Sequence, residues 1–150
     1  MGHSISALIA KTPVNQEAAG KYDLPVFSEG EFVIIALDPS HADYWDEKLG
    51  FKYKKVSDIM MDTTCTHYLA EKLGLKQFAI IHTDYFAGVG DQEAAVYENG
   101  KQIMPPTKGG INKALIMLGV QRSRSKDEFD SINLGKYRHF DDYFEEYNDV

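Results

Sequence analysis

Cysteine is almost absent from this chain: Cys65 is the single one among 150 residues. No disulfide can close within the chain, and the pattern suits a reducing, cytoplasmic setting. Long apolar runs are missing too. The longest, such as Phe32 to Leu37, fall far short of the roughly 20 residues that a membrane-spanning helix needs. The apolar stretch from Ser4 to Ala10 lacks the basic flank and cleavage site of a secretory signal. The opening Met1-Gly2-His3-Ser4-Ile5-Ser6 fits a loose myristoylation pattern, but no polybasic stretch or second lipid site follows to complete an anchor. A soluble protein with no membrane partner is expected. Positive charge is also scarce: 16 Lys and Arg stand against 23 Asp and Glu, for a net charge of -7. Nucleic acid is therefore not an expected partner, since its phosphates call for a basic surface.

What is present is ordinary for one globular domain spanning 1–150: 43% hydrophobic and 26% charged residues, enough to bury a core. The negative charge is unevenly spread. From Asp127 to Val150 eight acids face only Lys136 and Arg138, so this segment carries -6 and residues 1–126 only -1. The same segment, 127–150, sets Phe140, Tyr143, Phe144 and Tyr147 at helical spacing on one side. Docked on its own sheet, that side completes the core, which is the simpler reading. Docked on another subunit or protein, Tyr143, Phe144 and Tyr147 form an interface.

The element pattern predicts an α+β fold with a central, mainly antiparallel sheet and helices packed on it. A first strand is expected at His3–Lys11 and a short helix at Asn15–Lys21, capped by Asn15. Pro25 and Gly30 bracket a turn region. Glu31–Asp38 reads as a strand buried on both faces. Asp38-Pro39-Ser40 starts a helix that Gly50 ends. Ser57-Asp58 caps what reads as the longest helix, to about Leu73. Gln77–Phe86 and Asp91–Tyr97 form a hairpin around Gly88-Val89-Gly90. Pro105, Pro106, Gly109 and Gly110 mark a loop, and Ile111–Leu118 a compact helix.

Chemistry concentrates in the hairpin. His82 and Asp84 share one face of a strand. With Gly88-Val89 as a two-residue turn, Asp84 faces Glu93. With all three of Gly88, Val89 and Gly90 in the loop, Tyr85 faces Glu93. The first register pairs two carboxylates, which requires a cation or shared proton. His82, Asp84 and Glu93, beside Tyr85, would then be a divalent-metal site or an acid/base pair. The simpler reading is turn chemistry at a solvated tip. Elsewhere, His41 and Asp43 lie about 200° apart on a helix, too far round for joint ligation. His67 likewise points away from Cys65, which reads as a small buried hydrophobe rather than a nucleophile. Arg122, Arg124 and Lys126 could grip an anion, or simply line a solvated loop balanced by nearby acids.

Phe32 to Lys54, with Asp43-Tyr44-Trp45-Asp46-Glu47-Lys48-Leu49-Gly50-Phe51, resembles the strand, helix and turn of glyoxalase-type vicinal oxygen chelate modules. That pattern implies a histidine on the preceding strand and a helix that leads into three further strands; no histidine stands at the expected place on the Phe32 strand and a long helix is expected to follow from Ser57, so no metal chemistry is carried over. The expected function is a non-catalytic binding or regulatory role through protein–protein contacts, with another protein or a second copy. The alternative is a small enzyme or metal-binding protein using His82, Asp84, Tyr85 and Glu93.

Overall fold

The computed structural model describes residues 3–86, 89–122 and 125–148. Met1, Gly2, Gly88, Arg124, Asp149 and Val150 of the sequence reading lie outside them. Six described strands, β1 (Ser6–Lys11), β2 (Val26–Glu29), β3 (Phe32–Leu37), β4 (Gln77–Phe86), β5 (Val89–Glu98) and β6 (Lys101–Lys108), form one antiparallel sheet in the order β2-β3-β1-β4-β5-β6. The fold is α+β, as the pattern predicts.

Both faces of the sheet are covered, which is why β3 is apolar at every position. One face carries Leu8, Val33, Ile35 and Ile80 under α1 (Gln16–Lys21), α2 (Pro39–Leu49) and α3 (Thr64–Lys72). The other carries Ile9, Ile34, Ile81 and Val96 under α4 (Ile111–Leu118) and the segment that runs through α5 (Glu128–Ser131) to α6 (Glu145–Asn148). Each such fully buried aliphatic contributes about 1.5–3 kcal/mol.

The expected caps are in place. The Asn15 side chain accepts from the Ala18 N–H, and Asp38 accepts from the backbone N–H groups of Ser40 and His41 at 2.9 and 3.2 Å. Four expectations are corrected. The long helix from Ser57 does not form: Lys55 pairs with Thr63, Met61 has φ 74°, and α3 begins only after Thr63, which caps it. Asp62, Thr63 and Thr64 prefer caps and turns because their side chains compete for nearby backbone groups. The Pro25–Gly30 region contains strand β2, which pairs with β3. The Pro105–Pro106 stretch is not a loop but part of β6, an edge strand with register shifts near Ala94 and Val96. Both prolines fall in the register shift between the Val96–Met104 and Ala94–Thr107 pairs, where the ladder of an edge strand is interrupted and a missing N–H is tolerated. The turn from β5 into β6 is Asn99-Gly100, both left-handed at φ 51° and 80°, the conformation two-residue hairpins favour.

The fourth correction is the register of the β4–β5 hairpin. Phe86 pairs with Val89, Tyr85 with Gly90, Asp84 with Asp91 and His82 with Glu93. Sliding by two, as Asp84 opposite Glu93 requires, would set Phe78 against Asn99. The observed register instead stacks Phe78 on Tyr97, with ring centroids 5.7 Å apart. Gly90 lies so close to β4 that a Cβ there would sit 1.9 Å from the Asp84 carbonyl oxygen.

The C-terminal segment is not one continuous helix. A 3-10 turn at Asp141–Phe144 precedes α6. Among the described residues, no helix is long and apolar enough to cross a membrane.

Candidate functional site

The sequence-derived cluster is partly assembled. His82, Asp84, Glu93 and Asp91 share one face of the hairpin, with His82 beside Glu93 and Asp84 beside Asp91. His82 Nδ1 lies 2.8 Å from the Ser6 hydroxyl on β1. Asp91 lies 3.5 Å from Nζ of Lys108 on the neighbouring β6, an exposed pair worth little in stability. Tyr85 is held through its backbone, bonded to His3 on one side and paired with Gly90 on the other. Among the described residues, no group of three or more His, Cys, Asp and Glu side chains is gathered to hold a metal ion. Beyond the cluster, Phe86 and Val89 stand opposite each other, 76% and 78% exposed.

The tail aromatics divide. Phe140 and Phe144 are buried in the chain's own core, beside Leu115 and Leu134. Tyr143 packs edge-on against Phe27 yet is 52% exposed. Tyr147 is half-buried: its ring meets Tyr44 and His41 at 5.3 and 5.0 Å, and its hydroxyl donates to Asp23 at 2.6 Å. Of the three aromatics expected at an interface, Phe144 is taken up by the core, because Phe140 and Phe144 face the sheet while Tyr143 does not.

Tyr147 lines a groove of about 520 Å³ between α2 and α6, together with Glu146 and with Ser40, Asp43, Tyr44 and Glu47 of α2. The cap at Asp38 and the buried His41, whose Nε2–H donates to the Tyr22 carbonyl at 2.7 Å, fix the first turns of α2. Asp43, Tyr44 and Glu47 therefore project outward from a rigid element. Glu146 hydrogen-bonds Asp23, which pushes Glu146 up, while the Tyr147 hydroxyl and then Glu146 hold Asp23 below the usual carboxylate range. The sequence reading saw the acidity and the aromatics of the tail. It did not see that α2 supplies the groove's second wall, because the two segments are a hundred residues apart.

A second organised cluster was also missed. Asp62 is fully buried and accepts from Ser57 Oγ at 2.5 Å, His67 Nε2 at 2.6 Å and Tyr97 Oη at 2.6 Å. Gln102 donates to the Tyr97 hydroxyl at 3.1 Å. Burial pushes the Asp62 carboxyl up, but the hydrogen bonds from His67, Ser57 and Tyr97 outweigh it and hold it below the ordinary value. Burial first, then Asp62, pushes the Tyr97 phenol up to about 12. His67 also lines a groove of about 640 Å³ with Phe51, Tyr68 and Asn99. Asp62 fixes its tautomer with the proton on Nε2. The network pins the irregular 53–63 segment to α3, β5 and β6. The available signal was Asp62-Thr63-Thr64, three cap-forming residues inside the supposed helix.

Cys65 is fully buried, as the sequence reading expects, and burial first, then the neighbouring Asp46, pushes its thiol up to about 12. A thiol-specific reagent should leave native protein unmodified at neutral pH and react fully in denaturant. Fast reaction of the native form would mean that α3 opens readily.

The comparisons with known proteins assign no kinship: no protein-family model matches the chain, and neither the curated proteins nor the solved structures searched contain a match.

Proposed function

We propose that this chain is a non-catalytic binding protein that takes a basic segment of another protein into the groove between α2 and α6. The observation that carries this reading is the composition of the groove wall: Asp43, Glu47 and Glu146 supply negative charge, while Tyr44 and Tyr147 supply aromatic faces. Carboxylates with flanking aromatic rings suit lysine and arginine, whose charged heads pair with the acids while their stems lie on the rings. Two copies of this surface would repel each other, so the reading favours a different, basic partner over self-association. The hairpin tip is less suited to the role of specific site, because Asp84 is solvated and Lys108 already balances Asp91.

Titration of the protein with a short arginine-rich peptide tests this. Binding should weaken steeply with added salt, because exposed charges are screened over about 10 Å at 0.1 M. It should be lost in the double variant Glu47→Lys/Glu146→Lys, whose melting temperature should stay near that of the parent, since both positions are exposed. Peptide binding that survives the double charge reversal would overturn the proposal.

A further inference from the structure

The groove of about 640 Å³ beside His67 shares no wall residue with the one between α2 and α6. Its volume falls within the range of small-molecule sites. Aromatic rings supply much of its wall. Phe51 and Tyr68 meet edge-on with centroids 5.2 Å apart, and the buried Phe78 lies against the His67 ring at 5.5 Å. Glu71 and Lys76 also line it and balance each other in charge.

The polar group that matters here is His67. Its Nε2 hydrogen is committed to the buried Asp62 at 2.6 Å, so the lone pair of the neutral ring sits on Nδ1. Among the described residues no group donates to Nδ1. Nor is it sealed from solvent: the unpaired side-chain polar atoms shut away among the described residues are Trp45 Nε1, Asp46 Oδ1 and Ser131 Oγ. The His67 side chain is 22% exposed and lines the groove, so Nδ1 is an acceptor open to it. Ser57 and Tyr97 hold the other Asp62 oxygen, which keeps the carboxylate, and with it the imidazole, in one orientation.

We infer that this groove binds a small phenol, whose hydroxyl donates to His67 Nδ1 while its ring packs among Phe51, Tyr68 and Phe78. Each part of the ligand answers a feature of the wall. The balanced Glu71 and Lys76 suit a neutral molecule, the rings suit a planar aromatic one, and the fixed acceptor requires a donor. Orienting the site costs little on binding, because Asp62 holds the imidazole in place beforehand. A metal ion would need more donors beside Nδ1, and among the described residues no group of three or more His, Cys, Asp and Glu side chains is gathered to hold one. The phenol is either a free molecule or the tyrosine side chain of a partner; the chemistry at Nδ1 is the same.

The inference does not rest on the α2–α6 groove. Titration of the intact protein with para-ethylphenol, followed through amide NMR shifts, tests it, with para-ethylanisole as the control. The two share ring and alkyl group, but the methyl ether has no hydrogen to donate. The phenol should shift the residues around Phe51, His67 and Tyr68. The ether should bind about fivefold more weakly, the value of one neutral hydrogen bond. His67→Gln should abolish that preference. Glutamine sets its amide nitrogen where His67 Nε2 stands, so Asp62 keeps its donor while the Nδ1 position is left empty. In the wild-type protein, with no variant needed, the ¹⁵N resonance of His67 Nδ1 should move upfield with the phenol and stay in place with the ether. The Glu47→Lys/Glu146→Lys variant should bind the phenol as the parent does, so that failure of the α2–α6 groove and failure of this one read out separately. Tighter binding of a short tyrosine peptide than of para-ethylphenol marks a partner's side chain as the natural ligand, and weaker binding marks a free molecule. Equal binding of the ether, a preference that survives in His67→Gln, or an unmoved Nδ1 resonance overturns the inference.

Discussion

Replacing Asp62 by Ala should destabilise the protein by about 3–5 kcal/mol, one of the two largest single-residue effects expected. The carboxylate is fully buried and accepts three side-chain hydrogen bonds, so its loss leaves the Ser57, His67 and Tyr97 donors unsatisfied together. The melting temperature should fall by on the order of 10 °C. The pH dependence follows from the depressed carboxyl. A group held below its unfolded value contributes stability that is present above that value and is lost as pH falls through the folded one. Denaturant unfolding of the wild type and of Asp62→Ala should therefore differ most at neutral pH and converge in acid, below the ordinary Asp value of about 3.9. A constant gap between them down to strongly acidic pH would mean that the loss comes from packing rather than from charge.

Phe144→Ala should cost about 3–5 kcal/mol, the range for deleting a large aromatic from a packed core. Phe144 is 0% exposed and belongs to the cluster under α4, whereas Tyr143, one residue away, is more than half exposed. Tyr143→Ala should therefore stay within about 0.5 kcal/mol of the parent. The contrast within one pair of neighbours separates two roles of the acidic segment. If Phe144→Ala unfolds at the parent's denaturant midpoint, the segment is not part of the core. If both variants behave as expected, removing residues 140–150 should leave an unstable chain rather than a folded protein that has lost only its partner.

The local signals in the sequence were reliable where they were chemical. Asn15, Asp38 and Gly50 act at the helix ends as their side chains, or the lack of one, dictate. The continuous run Phe32–Leu37 did mean a strand buried on both faces. Reading failed where a tertiary partner changed the meaning of a residue. Pro105 and Pro106 suggest a loop until the strand that carries them is known to lie at an edge. Ser57 and Asp58 suggest a helix start until Asp62 is seen drawing the 53–63 segment toward Tyr97.

Composition and periodicity by themselves determined the fold class, the acid-rich aromatic end and the burial of Cys65, because each depends on short-range spacing or on simple counts. Hairpin register, the pairing of α2 with α6 and the Asp62 network were decided only by the tertiary structure. Each depends on groups far apart in the chain meeting in one place. The energy that selects among such meetings comes from packing and buried hydrogen bonds, and no local pattern of residues encodes it.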